Sequence, residues 1–101
     1  MRIITRKFLD AAKKTYPKAR APLEHWYRVT KAARCQNFIE TRQTFARADQ
    51  VTVKSNRTVI VFNITNDFRL ITAIQYNRKE VFTMRFLTHA GYNKNTWKTS
   101  L

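Results

Sequence analysis

Apolar positions along this chain change their period once. Over the first third they recur every three or four residues, and from Val51 onward they alternate or run together. Phe8, Leu9, Ala12 and Tyr16 share one helical face, and Pro17 stops that helix because it cannot donate the next backbone hydrogen bond. A second helix is expected after Pro22, with Leu23, Trp26, Tyr27, Thr30 and Ala33 on one stripe. Its other side, Arg20, Glu24, Arg28 and Lys31, reads as a solvated face. Phe38, Ile39 and Phe45 predict a shorter, irregular segment from Asn37 to Phe45, and Arg2 to Thr5 reads as an edge strand.

Val51 to Val53 predicts a brief strand, with Lys54-Ser-Asn as a turn. Thr58 to Ile64 is a nearly unbroken β-branched and aromatic run, as expected of a strand buried on both faces. Phe68 to Tyr76 and Val81 to Thr88 are the next two strands. Thr65-Asn-Asp precedes them and Asn77-Arg-Lys-Glu joins them. The tail after Gly91 is polar, with Trp97 as its anchor. Short connections favour an antiparallel meander, so the fold class is α+β. Two N-terminal helices pack on a small, mainly antiparallel twisted sheet, in a single domain over residues 1–101.

Charge changes this picture more than composition does. Twenty Lys and Arg stand against six acids, giving a net charge of +14. Such an excess repels itself in a compact monomer and calls for a polyanionic partner, with nucleic acid ahead of an acidic protein or an anionic membrane. No apolar run approaches the ~20 residues that cross a bilayer. The first ten residues interrupt their apolar positions with charge, unlike a secretory signal. Asn56-Arg-Thr and Asn63-Ile-Thr are therefore chance matches to glycosylation acceptors. Cys35 is the single cysteine, and a buried thiol in a reducing compartment is expected. The expected location is the cytoplasm.

Two distant histidines, one cysteine and few carboxylates make no zinc or magnesium spacing, and one Gly cannot build a phosphate-cradling loop. No metal and no cofactor are expected. Chemistry would fall to Arg, Lys, His and Tyr, which suffice for RNA cleavage because RNA carries its own nucleophile, the 2′-hydroxyl. That reaction needs a group to take the hydroxyl proton, another to protonate the leaving 5′-oxygen, and cations for the phosphorane. Guanidinium groups suit the phosphate because their fork donates bidentately.

Such groups gather toward one end of the predicted sheet. Arg69 and Arg85 interrupt otherwise apolar strands, and His89 and Tyr92 follow where the last strand runs out. Each has an ordinary reading alone: arginines on a half-exposed sheet, a strand-end histidine, a packing tyrosine. Together in so basic a chain they favour a phosphate-handling site. Lys54 and Arg57 beside a turn, with Lys94 in the tail, are candidates for RNA binding. His25 reads as a helix-surface residue. If Asn77 pairs with Glu80, Arg69 and Arg85 lie on opposite faces, and a one-residue slip puts them on the same face.

Phe62-Asn-Ile, Phe68-Arg-Leu, Ala73-Ile with Tyr76, Met84-Arg-Phe, and Thr88-His with Tyr92 resemble, in order and spacing, the HigB toxins of the RelE superfamily. Met1-Arg-Ile-Ile, Ala21-Pro-Leu-Glu-His-Trp-Tyr, Thr44-Phe and Ala48-Asp-Gln-Val extend the likeness over nearly the whole chain. The resemblance implies a type II toxin that enters the ribosomal A site and cleaves mRNA. It also implies a HigA-type antitoxin with a helix-turn-helix, through which the complex meets operator DNA. By the same resemblance Arg69, Arg85, His89 and Tyr92 fall on the active-site face, with His89 the first choice of general base. Asn93 stands where the motif usually has Asp, and Gly91 where a larger residue is common. Val59 to Ile64 lacks the lysines that related RelE toxins carry in that strand. Two other functions fit the same charge: a noncatalytic RNA- or ribosome-binding protein, and a basic subunit stable only with an acidic partner.

Overall fold

A computed structural model describes residues 1–4 and 6–101, so of the expected edge strand only Thr5 lies outside the described residues. Strand β1 (Arg2–Ile4) leads to helix α1 (Arg6–Thr15), a 3₁₀ turn at Pro17–Ala19 and helix α2 (Arg20–Ala32). Helix α3 (Phe38–Thr44) precedes strands β2 (Asp49–Thr52), β3 (Thr58–Thr65), β4 (Phe68–Gln75) and β5 (Glu80–Thr88). A short helix α4 (His89–Asn93) and a 3₁₀ turn at Thr96–Thr99 complete the chain. The sheet order is β1-β5-β4-β3-β2, antiparallel except where β1 runs parallel to β5 at the edge. The α+β expectation holds.

Local chemistry accounts for most boundaries. Helix α1 buries Leu9 and Ala12, and Lys13 and Lys14 meet the partial negative charge of its last turn. Tyr16, which precedes Pro17, has φ/ψ of −126° and 82°, outside the helical region, so the helix ends there. Helix α2 starts at Arg20, earlier than expected, because Pro22 sits in its first turn, where a missing N–H breaks no helical bond. The Met1 ammonium donates to the carbonyls of Thr30 (3.1 Å), Lys31 (2.9 Å) and Ala33 (2.6 Å), satisfying acceptors left open at the end of α2. The segment expected to be irregular is the helix α3. Asn37 Oδ1 accepts from the Glu40 N–H at 3.0 Å and Glu40 Oε1 accepts from the Gln36 N–H at 3.1 Å, a reciprocal cap.

The sheet has apolar cover on both faces. Leu9, Leu23, Trp26, Ile60, Phe62 and Leu70 form the core under the helices. Val53, Val59, Val61, Ile71 and Trp97 form a second core on the other face, closed by the C-terminal tail. Strand β3 lies between the two, which is why its apolar run is unbroken.

One irregularity decides which residues share a face. From the hairpin turn, Gln75 pairs with Glu80, and this register continues to Thr72 opposite Thr83. Continued further, it would set Arg69 and Arg85 on opposite faces. A β-bulge leaves Met84 unpaired, so Ile71 lies opposite Arg85 and Arg69 opposite Leu87. That is the one-residue slip, and it assigns both arginines to the face of the second core.

Candidate functional site

The second-core face carries a polar margin where the strands end near α4. One row across the ladder runs Asp49, Val61, Ile71, Arg85, and the neighbouring row runs Asn63, Arg69, Leu87. Polar residues thus border an apolar centre that Tyr92 and Trp97 cover. Helix α4 begins directly after β5. Thr88 Oγ1 caps it by accepting from the Gly91 N–H at 3.1 Å. A Cβ on Gly91 would lie 3.3 Å from that same Oγ1, which explains a small residue there.

Arg69 ties the β3–β4 turn to this helix. Its Nη1 donates to the carbonyls of Thr65 (2.9 Å), Phe68 (3.1 Å) and Asn66 (3.2 Å). Its Nη2 contacts His89 Nδ1 at 3.2 Å, and its guanidinium lies 5.9 Å from the Tyr92 ring centroid. The backbone N–H of His89 donates to the Asp67 carbonyl at 2.7 Å, so turn and helix are joined twice.

These contacts assign the histidine proton. A guanidinium has donors and no acceptor, so Nδ1 must accept from Arg69 and the neutral ring carries its proton on Nε2. Nε2 lies 3.1 Å from the Asn93 side-chain amide, four residues further along α4. The amide atom placed at this contact is Nδ2, and exchanging the amide's nitrogen and oxygen gives the N–H at Nε2 an acceptor. Arg69 and Asn93 thereby hold the exposed imidazole from both sides.

Tyr92 stacks on Trp97 with centroids 5.3 Å apart and planes at 20°, and Trp97 Nε1 donates to the Tyr92 carbonyl at 3.0 Å. Burial pushes the Tyr92 phenol above its ordinary range. The Asp49 carboxylate adds to this and the Arg69 guanidinium opposes it. The phenol stays protonated at neutral pH.

His89, Tyr92 and Arg69 therefore meet, as their sequence positions suggested. Arg85 shares their face in the ladder without touching them. Its Nη1 donates to the Met84 carbonyl at 2.8 Å, and its side chain runs along the margin of β5 toward Ala11, Thr15 and Tyr16. Among the described residues no hydrogen bond or ion pair joins it to His89. Arg57 reaches the same methionine from the other side, with Nη1 4.0 Å from Met84 Sδ. Lys54 and Lys94 are exposed, Lys54 with its backbone N–H bonded to the Lys98 carbonyl at 3.1 Å. His25 is exposed on α2 beside Pro22 and Trp26, away from this face.

The sequence reading gave no role to Asp49 or to Asn93 as a partner of His89. Asn93 had a local signal, the i,i+4 spacing on one helix. Asp49 had none, because forty residues separate it from His89 and only the strand ladder brings it to this face. Among the described residues no cluster of three metal-ligating side chains occurs, and no helix is long and apolar enough to cross a membrane. The arrangement offers an imidazole that can exchange a proton beside guanidinium groups that can hold a phosphate.

A model of the family HigB_toxin, described as the RelE-like toxic component of a toxin–antitoxin system, matches residues 19–95. A search of the curated proteins finds no match.

Proposed function

The chain belongs to the HigB family of RelE-like toxins, and we propose that it acts as a ribosome-dependent endoribonuclease that cleaves mRNA in the A site. As a toxin of a toxin–antitoxin system it has an antitoxin partner. We assign that partner to the HigA type, whose helix-turn-helix brings the complex to operator DNA, and place the protein in the cytoplasm. The observation that carries the catalytic reading is the exposed His89 imidazole, held between Arg69 (3.2 Å) and Asn93 (3.1 Å) beside a protonated Tyr92.

In this reading a phosphate of the mRNA binds Arg85 and the Nη2 edge of Arg69, drawing that edge away from His89. Nδ1, now free, takes the proton of the 2′-hydroxyl. The 2′-oxygen attacks phosphorus, the bond to the 5′-oxygen breaks, and that oxygen takes a proton from water. The hydroxide left behind takes the proton held by His89, which is open to solvent, and the imidazole returns to its neutral form. The products are a 2′,3′-cyclic phosphate and a 5′-hydroxyl. Arg85 and Arg69 stabilise the charge of the phosphorane, and Tyr92 orients the nucleotide by stacking. Lys54, Arg57 and Lys94 contact the RNA backbone and contribute salt-dependent affinity. The cleavage step in this assignment uses no metal or cofactor.

Expressing the protein without its antitoxin tests this. His89→Ala and Arg85→Ala should each relieve growth arrest, and mapped mRNA ends present with wild type should disappear. Loss of a general base costs about 10²–10⁴-fold in rate. Full toxicity of both variants would sink the site assignment. Arrest with intact transcripts would favour binding without cleavage.

A further inference from the structure

Beyond the part covered by Trp97 and the tail, the second-core face stays open toward the β4–β5 hairpin turn. A cavity of about 450 Å³ lies there, lined by Arg57, Thr58, Ala73, Gln75, Phe82 and Met84. Its apolar lining includes an aromatic ring, a thioether and a methyl group, with Ile74 beside them. Its polar lining is a hydroxyl, a side-chain amide and a guanidinium. Arg57 has no carboxylate within ion-pairing distance among the described residues, and its contact with Met84 Sδ at 4.0 Å is to a weak acceptor. Glu80 is the ladder partner of Gln75 and carries Arg2 and Arg78, each at 4.0 Å, so its charge is offset.

An unpaired cation next to an apolar, amide-bearing hollow suits a ligand with an anionic end and a flat apolar body with polar edges. Met84 also connects this hollow to the proposed cleavage site. The bulge presents its carbonyl to Arg85 (2.8 Å) and its sulfur to Arg57 (4.0 Å), so both guanidinium groups contact one residue. A strand whose phosphate lies on Arg85 and which runs along β5 would carry a further phosphate toward Arg57.

We propose that this cavity is a nucleotide subsite for single-stranded RNA, which rests on the ribonuclease reading above. A base a few nucleotides from the scissile phosphate lies against Phe82 and Met84, because Phe82 stands about 20 Å along β5 from His89. Gln75 and Thr58 read its edge, and Arg57 holds its phosphate. An acidic peptide would satisfy Arg57 alone and leave the aromatic and amide groups unused.

The test uses the His89→Ala protein, which the ribonuclease reading expects to be non-toxic, and a short single-stranded oligoribonucleotide. Where that variant still arrests growth, wild type free of its antitoxin takes its place. The Met84 methyl and the Gln75 side-chain amide resonances should shift saturably. Arg57→Ala and Gln75→Ala should each weaken binding about three- to tenfold, and Arg57→Ala should also lower the salt slope by about 1. If resonances of Tyr92 and Gly91 moved while Met84 and Gln75 stayed still, the subsite would be refuted and the ribonuclease reading would stand. If none moved, the subsite would be refuted, while the ribosome-dependent ribonuclease reading is tested separately by the mapped mRNA ends. An acidic peptide that shifted Met84 and Gln75 at lower concentration than RNA would overturn the proposal in favour of a protein partner. In the otherwise intact toxin, Gln75→Ala should change the base preference a few nucleotides from mapped mRNA ends; an unchanged pattern would contradict base reading by this cavity.

Discussion

Replacing Arg69 by lysine keeps a cation at the start of β4 and removes the fork. The wild-type guanidinium faces four acceptors: the carbonyls of Thr65 (2.9 Å), Phe68 (3.1 Å) and Asn66 (3.2 Å), and His89 Nδ1 (3.2 Å). Nη1 carries two protons for three carbonyls, so about three bonds act at full strength. A lysine ammonium cannot span the turn carbonyls and the imidazole together, and one or two of these bonds are lost. Hydrogen bonds from a charged donor are worth roughly 1.5–3 kcal/mol each when buried. Arg69 is only half-buried, so solvent screening reduces that to about 1 kcal/mol per bond. The expected loss is about 1–2 kcal/mol, a drop of roughly 5–15 °C in Tm for a domain near 100 residues. Thermal unfolding followed by circular dichroism measures it, and imidazole nitrogen shifts of His89 report the tautomer. Arg69→Lys should melt earlier and lose the strict Nε2–H form. A variant that melted with wild type and kept the same tautomer would show that Arg69 neither clamps the turn nor sets the histidine proton.

Two further outcomes follow from the packing. Trp97 is 5% exposed and supports Tyr92 by stacking and by a 3.0 Å hydrogen bond. Trp97→Ala should therefore cost about 3–5 kcal/mol in urea unfolding, and a cost under about 1 kcal/mol would mean that the tail does not close the second core. Burial raises the Tyr76 phenol, which shares a 3.0 Å hydrogen bond with Thr41 Oγ1 that works in the opposite direction. The folded state thus holds this proton more tightly than the unfolded chain. Its contribution is complete below the usual tyrosine range of about 10 and is lost as pH climbs through the raised value. The stability advantage of wild type over Tyr76→Phe should narrow as pH rises through that range, and a constant difference would contradict the burial effect.

Much of the architecture was written locally. The spacing of Leu9 and Ala12, and of Leu23, Trp26 and Thr30, placed two helices, and the unbroken run of β3 announced a strand between two cores. In sequence, helix α3 reads as an irregular segment because the apolar pattern there is too short to show a period, although its cap signal, Asn37 three residues before Glu40, stands in the sequence. The cluster of Arg69, His89 and Tyr92 was visible because two of the three follow one strand end and the third sits on the strand beside it.

What brought basic residues to a common face was decided elsewhere. Net charge calls for an anion and says nothing about where that anion binds. Strand β5 reads Val-Phe-Thr-Met-Arg-Phe-Leu, apolar on both faces, so sliding it by one residue costs little by pattern and the sequence could not choose. The bulge at Met84 chooses, and it does so through pairing with β4 and packing against two cores at once. The same tertiary structure assigns Asp49 and Arg57 to this face from distant segments and leaves Arg85 on the ladder, bonded to the Met84 carbonyl and not to His89. By itself the sequence determined which side chains could do chemistry with RNA. Only the folded sheet decided which of them stand together, because strand register is a property of paired strands and not of any one of them.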